Sequence, residues 1–176
     1  MKFLLLAPLL AVTLASGQTL AKPPARAESP ADFAARFYRT YLKLKMNGLP
    51  DDRQYRSLAP LLSPDLRRLI EAARVEQTAA IKAHPDEKPP WIDGDLFTSL
   101  HEGAQSFRVG RPTLRGEYAD VPVRLAYRRR GVTRWEDTLV LIRTPAGWRV
   151  WDIKLNGDWQ FKNGDSLRAV LAPNQP

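Results

Sequence analysis

The chain has no cysteine, only two histidines and only two methionines among its 176 residues. Without cysteine there is no disulfide framework, no thiolate nucleophile, no zinc–thiolate site and no lipid-modified cysteine after export. His84 and His101 do not sit at helical ligand spacing. Asp93, Asp95 and Glu102 lack the alternation of an EF-hand calcium loop, so no metal is expected. Phosphate-cradling glycine loops and the G-x-S-x-G nucleophile elbow are also missing. No cofactor is implied. Beyond the first 15 residues no apolar run approaches the roughly 20 residues of a membrane span, so no transmembrane anchor is expected.

What remains is an ordinary globular composition, 44% hydrophobic and 26% charged, with a net charge of +8. The length suits one domain. Met1-Lys2 followed by the apolar run Phe3–Ala15 reads as a secretory signal peptide over residues 1–17, with cleavage before Gln18 or before Lys22. Residues 18–28 read as a flexible leader, residues 29–172 as the domain and residues 173–176 as a tail. A bacterial periplasm is the expected location.

Ser29-Pro30 with Asp32, and Ser63-Pro64-Asp65, are helix-start signals: an N-cap serine, a proline in the first turn and an early acid. Phe33, Phe37, Tyr41 and Leu44 give the first helix its inner stripe, ending at Asn47-Gly48. Leu66, Leu69, Ile70, Ala73 and Ile81 give the second its inner stripe, ending near His84-Pro85. A short helical piece is expected at Asp52–Leu58, and a closing one within Asp165–Leu171. Residues 88–95 read as an ordered loop, with Asp93 and Asp95 capping turns and a helix that begins near Leu96. From Ser106 the period becomes that of strands: Ser106–Leu114, Glu117–Arg128, Val132–Thr144 and Trp148–Leu155. The fold class is therefore α+β, N-terminal helices packed on a curved antiparallel sheet.

Turn chemistry suggests registers. A two-residue loop at Arg130-Gly131 pairs Arg124 with Asp137 and Val121 with Val140. A type I turn closed by Gly147 pairs Val140 with Asp152 and Ile142 with Val150. A different loop at Pro145 would turn the last strand over. On this register Val121, Val123, Leu125, Tyr127, Val140, Ile142, Trp148 and Val150 face the helices. Trp135, Leu139, Leu141, Trp151 and Ile153 then form an apolar face too large to leave bare. That face is a candidate interface for a partner or a homodimer.

Phe37-Tyr38-x-x-Tyr41, Leu62-Ser-Pro-Asp-Leu-Arg67, Trp91-Ile-Asp-Gly-Asp-Leu-Phe97 and Gly147-Trp-Arg-Val-Trp-Asp-Ile153 together resemble a family of small exported bacterial proteins carrying a domain of unknown function. The order of helices and then meander resembles the cone-shaped fold of nuclear transport factor two, ketosteroid isomerase and the SnoaL-like cyclases. The resemblance implies a fold and an export route. It implies no activity, because that fold hosts enzymes and binding modules alike.

Asp152 is the charged residue that this register places among apolar neighbours, where it must be paired, hydrogen-bonded or protonated. It heads a candidate pocket with Trp148, Tyr127, His101 and Asp95. Three functions stay open: a non-enzymatic module binding a small ligand or an envelope protein, an isomerase, cyclase or dehydratase using Asp152, and a periplasmic neutraliser of a delivered toxin. The charge does not argue for nucleic acid in an exported protein. Arg128-Arg-Arg130 reads as a solvated turn.

Overall fold

The computed structural model describes residues 27–159 and 165–172. The expected signal peptide and the last four residues lie outside them. Helices α1 (Pro30–Leu44), α2 (Asp52–Leu58) and α3 (Pro64–Ala83) precede strands β1 (Ser106–Val109), β2 (Thr113–Arg115), β3 (Tyr118–Arg128), β4 (Val132–Thr144) and β5 (Gly147–Lys154), and α4 (Leu167–Leu171) closes the order. The strands form one antiparallel sheet in the order β1-β3-β4-β5, with β2 continuing the β1 side of β3. The α+β architecture, helices first and antiparallel sheet after, is as the sequence suggested.

The start signals act as caps. Ser29 Oγ accepts the Asp32 amide at 3.1 Å and Ser63 Oγ accepts the Leu66 amide at 3.2 Å, each cap being worth about 1 kcal/mol. Ser63 also donates its own amide to the Val150 carbonyl at 2.8 Å, which ties the head of α3 to β5. Phe33, Phe37, Tyr38 and Tyr41 of α1 are buried against the sheet, and Tyr38 stacks on Phe107 at 5.5 Å between centroids. Burying rings of this size contributes on the order of 2–3 kcal/mol each.

Only the first half of α3 is buried, through Leu66, Ile70 and Ala73. Ile81, expected on the inner stripe, is 47% exposed because the helix runs past the sheet. No helix begins at Leu96; residues 96–100 are bends. Asn47-Gly48 follows α1 instead of ending it, and Lys45 takes the left-handed cap with φ 47°. Gly48, with φ 75°, lets its amide reach the Gly94 carbonyl at 2.6 Å.

The registers differ from expectation by one residue. The β3–β4 loop has three residues, since Arg128 pairs with Val132, and Arg129 donates its amide to the Gly131 carbonyl at 3.2 Å. Arg124 therefore faces Glu136, and Val121 faces Leu139. One extra loop residue turns every β4 side chain over relative to β3. In the second hairpin Thr144 pairs with Gly147, leaving a two-residue Pro145-Ala146 loop; a bulge at Trp151 then restores the expected Val140–Asp152 pair. Arg143 lies opposite Trp148 instead of Arg149, with its guanidinium 5.4 Å from the indole.

The helix-facing side of the sheet thus carries Val121, Val123 and Leu125 from β3, Trp135, Leu139 and Leu141 from β4, and Trp148, Val150 and Ile153 from β5, all buried. This corrects the candidate interface. Trp135, Leu139, Leu141 and Ile153 belong to the main core, and Trp151 alone of that set is half-exposed. Trp151 meets Tyr118 edge-on at 5.5 Å and lies under the Arg168 guanidinium at 4.6 Å.

Candidate functional site

The loop from α3 to β1 is held by two buried aspartates, one in the loop and one in the sheet. Asp95 Oδ1 accepts the Phe97 amide at 2.7 Å, while the Tyr41 hydroxyl donates to Oδ2. The Asp95 amide donates to the His101 carbonyl at 2.8 Å, and Asn47 Oδ1 accepts the Gly94 amide at 2.8 Å. Gly103, at φ 78°, allows this packing, since a Cβ there would stand 2.7 Å from Asp95 Oδ2. Burial pushes the Asp95 carboxyl up to about 6; the Tyr41 and Phe97 hydrogen bonds oppose that rise and the negative charge of Asp137 adds to it. Burial likewise pushes the Tyr41 and Tyr38 phenols well up.

Asp137, on the core side of β4, is fully buried. Its Oδ2 accepts the Ser99 amide at 2.9 Å and Trp135 Nε1 at 3.0 Å. Its Oδ1 accepts the Asn156 amide at 3.0 Å and the Ser99 hydroxyl, which in turn accepts the Gly157 amide at 2.8 Å. The carboxylate is thus stabilised by donors instead of a cation, and it clamps residues 99 and 156–157 onto β4. Arg124, expected opposite Asp137, instead meets Glu136 at 3.3 Å on the exposed side. The Tyr38 hydroxyl is buried with no hydrogen-bond partner among the described residues.

The structure disperses the candidate pocket. Asp95 and Tyr127 share an open cleft of about 420 Å³ with Tyr41, Lys45 and Glu102. His101 lines a neighbouring groove with Trp91, Leu96 and Val170. Trp148 packs in the core. Asp152 lies on the opposite side of the sheet, where its Oδ1 accepts the amides of Ile153 at 2.8 Å and Arg168 at 2.9 Å. It ties down α4 and stands in no pocket with Tyr127 or His101. Of the candidate pocket's two acids, Asp95 is the one that lines a cleft. The expected turn-capping role is met by its hold on the Phe97 amide; nothing local reveals the Tyr41 hydroxyl 54 positions away.

A second feature was hidden by reading Arg128-Arg-Arg130 alone. Strand alternation places Arg108 of β1 and Arg124 and Arg128 of β3 on the outer side of the sheet, beside Arg134 of β4, and all four are exposed. Arg108, Arg124, Arg134 and Glu136 border an open groove of about 650 Å³ floored by Ser106 and Ala126. The period-2 pattern could have revealed this row.

Among the described residues no group of three or more His, Asp or Glu could hold a metal ion, and no helix is long and apolar enough to cross a membrane. No family model matches the chain, and no curated protein matches it. Among solved structures it is similar to a chain of the crystal structure of the type VI native effector–immunity complex Tae3–Tai3 from Ralstonia pickettii. The match has 20% identity and a TM-score of 0.44, and it covers 77% of this chain and 99% of that one. A likeness that distant carries no argument about function.

Proposed function

We propose that the protein is an exported, non-enzymatic module that binds another protein, and that its role is to neutralise the partner, as an immunity protein neutralises a delivered toxin. The carrying observation is how the buried acids are used. Asp137 and Asp152 are taken up by amides and hydroxyls that hold the fold together, so the acid–base residue expected in a pocket is architectural. Around this scaffold the grooves are open, and the outer sheet carries a dense row of exposed arginines. A rigid core with a charged, accessible face is suited to blocking a partner by contact.

The test is a competition assay. Recipient bacteria carrying the full chain, or a chain without residues 1–17, are challenged by a strain that delivers toxins into the periplasm. Survival that requires the leader supports the reading. Equal killing with and without the full chain, across attackers differing in their toxins, overturns it.

One observation favours a second reading. Asp95, with its carboxyl near 6 beneath a cleft and a phenol on Oδ2, is suited to proton exchange with a small molecule. A thermal-shift panel of ring-shaped and envelope ligands tests this. A ligand at about 100 times its Kd adds roughly 2.7 kcal/mol of stability. A hit abolished by Asp95→Asn favours the enzyme; a silent panel removes it.

A further inference from the structure

We propose that the partner docks on the outer face of the β1–β3–β4 sheet and presents an acidic protein segment to it. This rests on the protein-binding reading above and gives it a surface and a chemistry. Arg108 stands directly opposite Arg124 across the β1–β3 pair, and the next rung sets Ser106, Ala126 and Arg134 side by side. Opposed like charges weaken a sheet. Nothing in the fold requires them, since α1 and α3 pack on the other side and α4 lies against β5.

What sets the block apart is the side-by-side placement of its arginines; elsewhere some are matched, while others, Arg39, Arg53 and Arg56 among them, stand apart with no ion pair among the described residues. Arg36 pairs with Glu28, Arg68 with Asp65, Arg74 with Asp52 and Arg115 with Asp120. On the outer face Arg124 is matched by Glu136, and further along β3 Asp120 meets Arg115 and Lys154. Among the described residues no carboxylate comes within ion-pair distance of Arg108, Arg128 or Arg134.

The spacing points to a peptide instead of a single anion. β1 and β4 flank β3 and Arg134 lies one same-face rung along from Arg108, so their backbone positions sit about 12 Å apart. Several acidic side chains on one extended segment match that spread, with a carboxylate for each guanidinium. The floor of Ser106 and Ala126 lets such a segment approach the guanidinium planes, which bind carboxylates in a bidentate fork. A lipid surface fits less well, because the large apolar residues at the groove, Phe107, Leu125 and Trp135, are buried or half-buried and none is exposed for insertion. Nucleic acid fits less well because the chain reads as exported.

The experiment compares the wild-type chain from Gln18 with Arg108→Glu/Arg134→Glu and with Lys43→Glu/Lys82→Glu, which changes net charge equally at exposed helix positions. Immobilised polyglutamate and phosphatidylglycerol vesicles are the probes, at low and physiological salt. The expected result is at least tenfold weaker polyglutamate binding for the face variant, with the helix variant within about twofold of wild type. Equal weakening of both variants overturns the proposal by showing mere net-charge attraction. Vesicle binding that exceeds polyglutamate binding and is lost in the face variant overturns it in favour of a lipid surface. No polyglutamate binding by the wild type also overturns it. Arg108→Gln/Arg134→Gln, with unchanged thermal melting, replaces the reversal if that fails to fold. In the competition assay, full protection by the face variant refutes this surface while protein binding stands; no protection by wild type refutes the function itself.

Discussion

Asp137 offers the sharpest stability test, because its role as an internal clamp is stated in countable hydrogen bonds. Its two oxygens accept the Ser99 amide, the Ser99 hydroxyl, Trp135 Nε1 and the Asn156 amide, from three separate stretches of chain. Asp137→Ala leaves these donors buried. Each unsatisfied donor costs about 1–3 kcal/mol, reduced where water enters or the loop relaxes, so a loss of about 4 kcal/mol is expected. Domains are typically stable by about 5–15 kcal/mol, so the variant should fold only marginally. Its melting temperature should fall by about 8–16 °C. Asp137→Asn turns amide hydrogens toward donors and should recover less than half of the loss. Urea unfolding followed by tryptophan fluorescence reads this, because Trp135 is itself one of the donors. Glu136→Ala is the control next door: its ion pair with Arg124 is exposed and worth under about 1 kcal/mol. If Asp137→Ala unfolds within about 1 kcal/mol of wild type, with the same dependence on urea, the clamp argument is wrong. A group whose removal costs activity but not stability is a functional group.

Asp95 should impose a pH dependence. Its folded carboxyl holds a proton up to about 6 against an ordinary 3.8, so its stabilising contribution is complete below pH 4 and lost as pH rises through 6. That contribution is roughly 3 kcal/mol. Wild type should therefore lose about that much stability relative to Asp95→Asn between pH 4 and pH 7.5; parallel pH profiles would contradict the burial argument. Tyr38→Phe removes a buried hydroxyl without a hydrogen-bond partner among the described residues and should be neutral or stabilising by up to about 1 kcal/mol in thermal melts. A loss above that range would reveal a partner for the hydroxyl. Asp152→Ala should cost about 1–2 kcal/mol and speed amide exchange in Leu167–Leu171, since the carboxylate accepts the Arg168 amide. Unchanged exchange there would refute its role in holding α4.

Local chemistry made the elements legible and left their mutual phase hidden. Ser-Pro-x-Asp and Ser-Pro-Asp announced α1 and α3 because capping is a property of four adjacent residues. Alternating Val, Leu and Trp announced the strands for the same reason. The outward or inward sense of β4 depended on whether Arg129 belonged to the strand or to the loop, and both choices satisfy turn chemistry. That single residue decided whether Trp135 and Leu141 formed a bare face or the core. The functional reading followed the error. Asp152 seemed to sit in a pocket because β4 was turned over, while Asp95, which does line a cleft, is defined by Tyr41 from a distant helix. The arginine row was legible in β3 alone, where Arg124, Ala126 and Arg128 alternate with buried Leu125 and half-buried Tyr127.

The unpaired residue at Trp151 determines where the chain can change length. Val140 pairs with Asp152 and Leu141 with Val150, so Trp151 lets Val150 and Ile153 both point inward although three positions separate them. Deleting it would force one of them out into water. The β3–β4 tip is the opposite case: Arg129, Arg130 and Gly131 lie outside both strands and are exposed, so residues added there leave each strand's alternation intact. Insertions, fused tags or new chain termini belong at that tip, and β5 should tolerate no deletion.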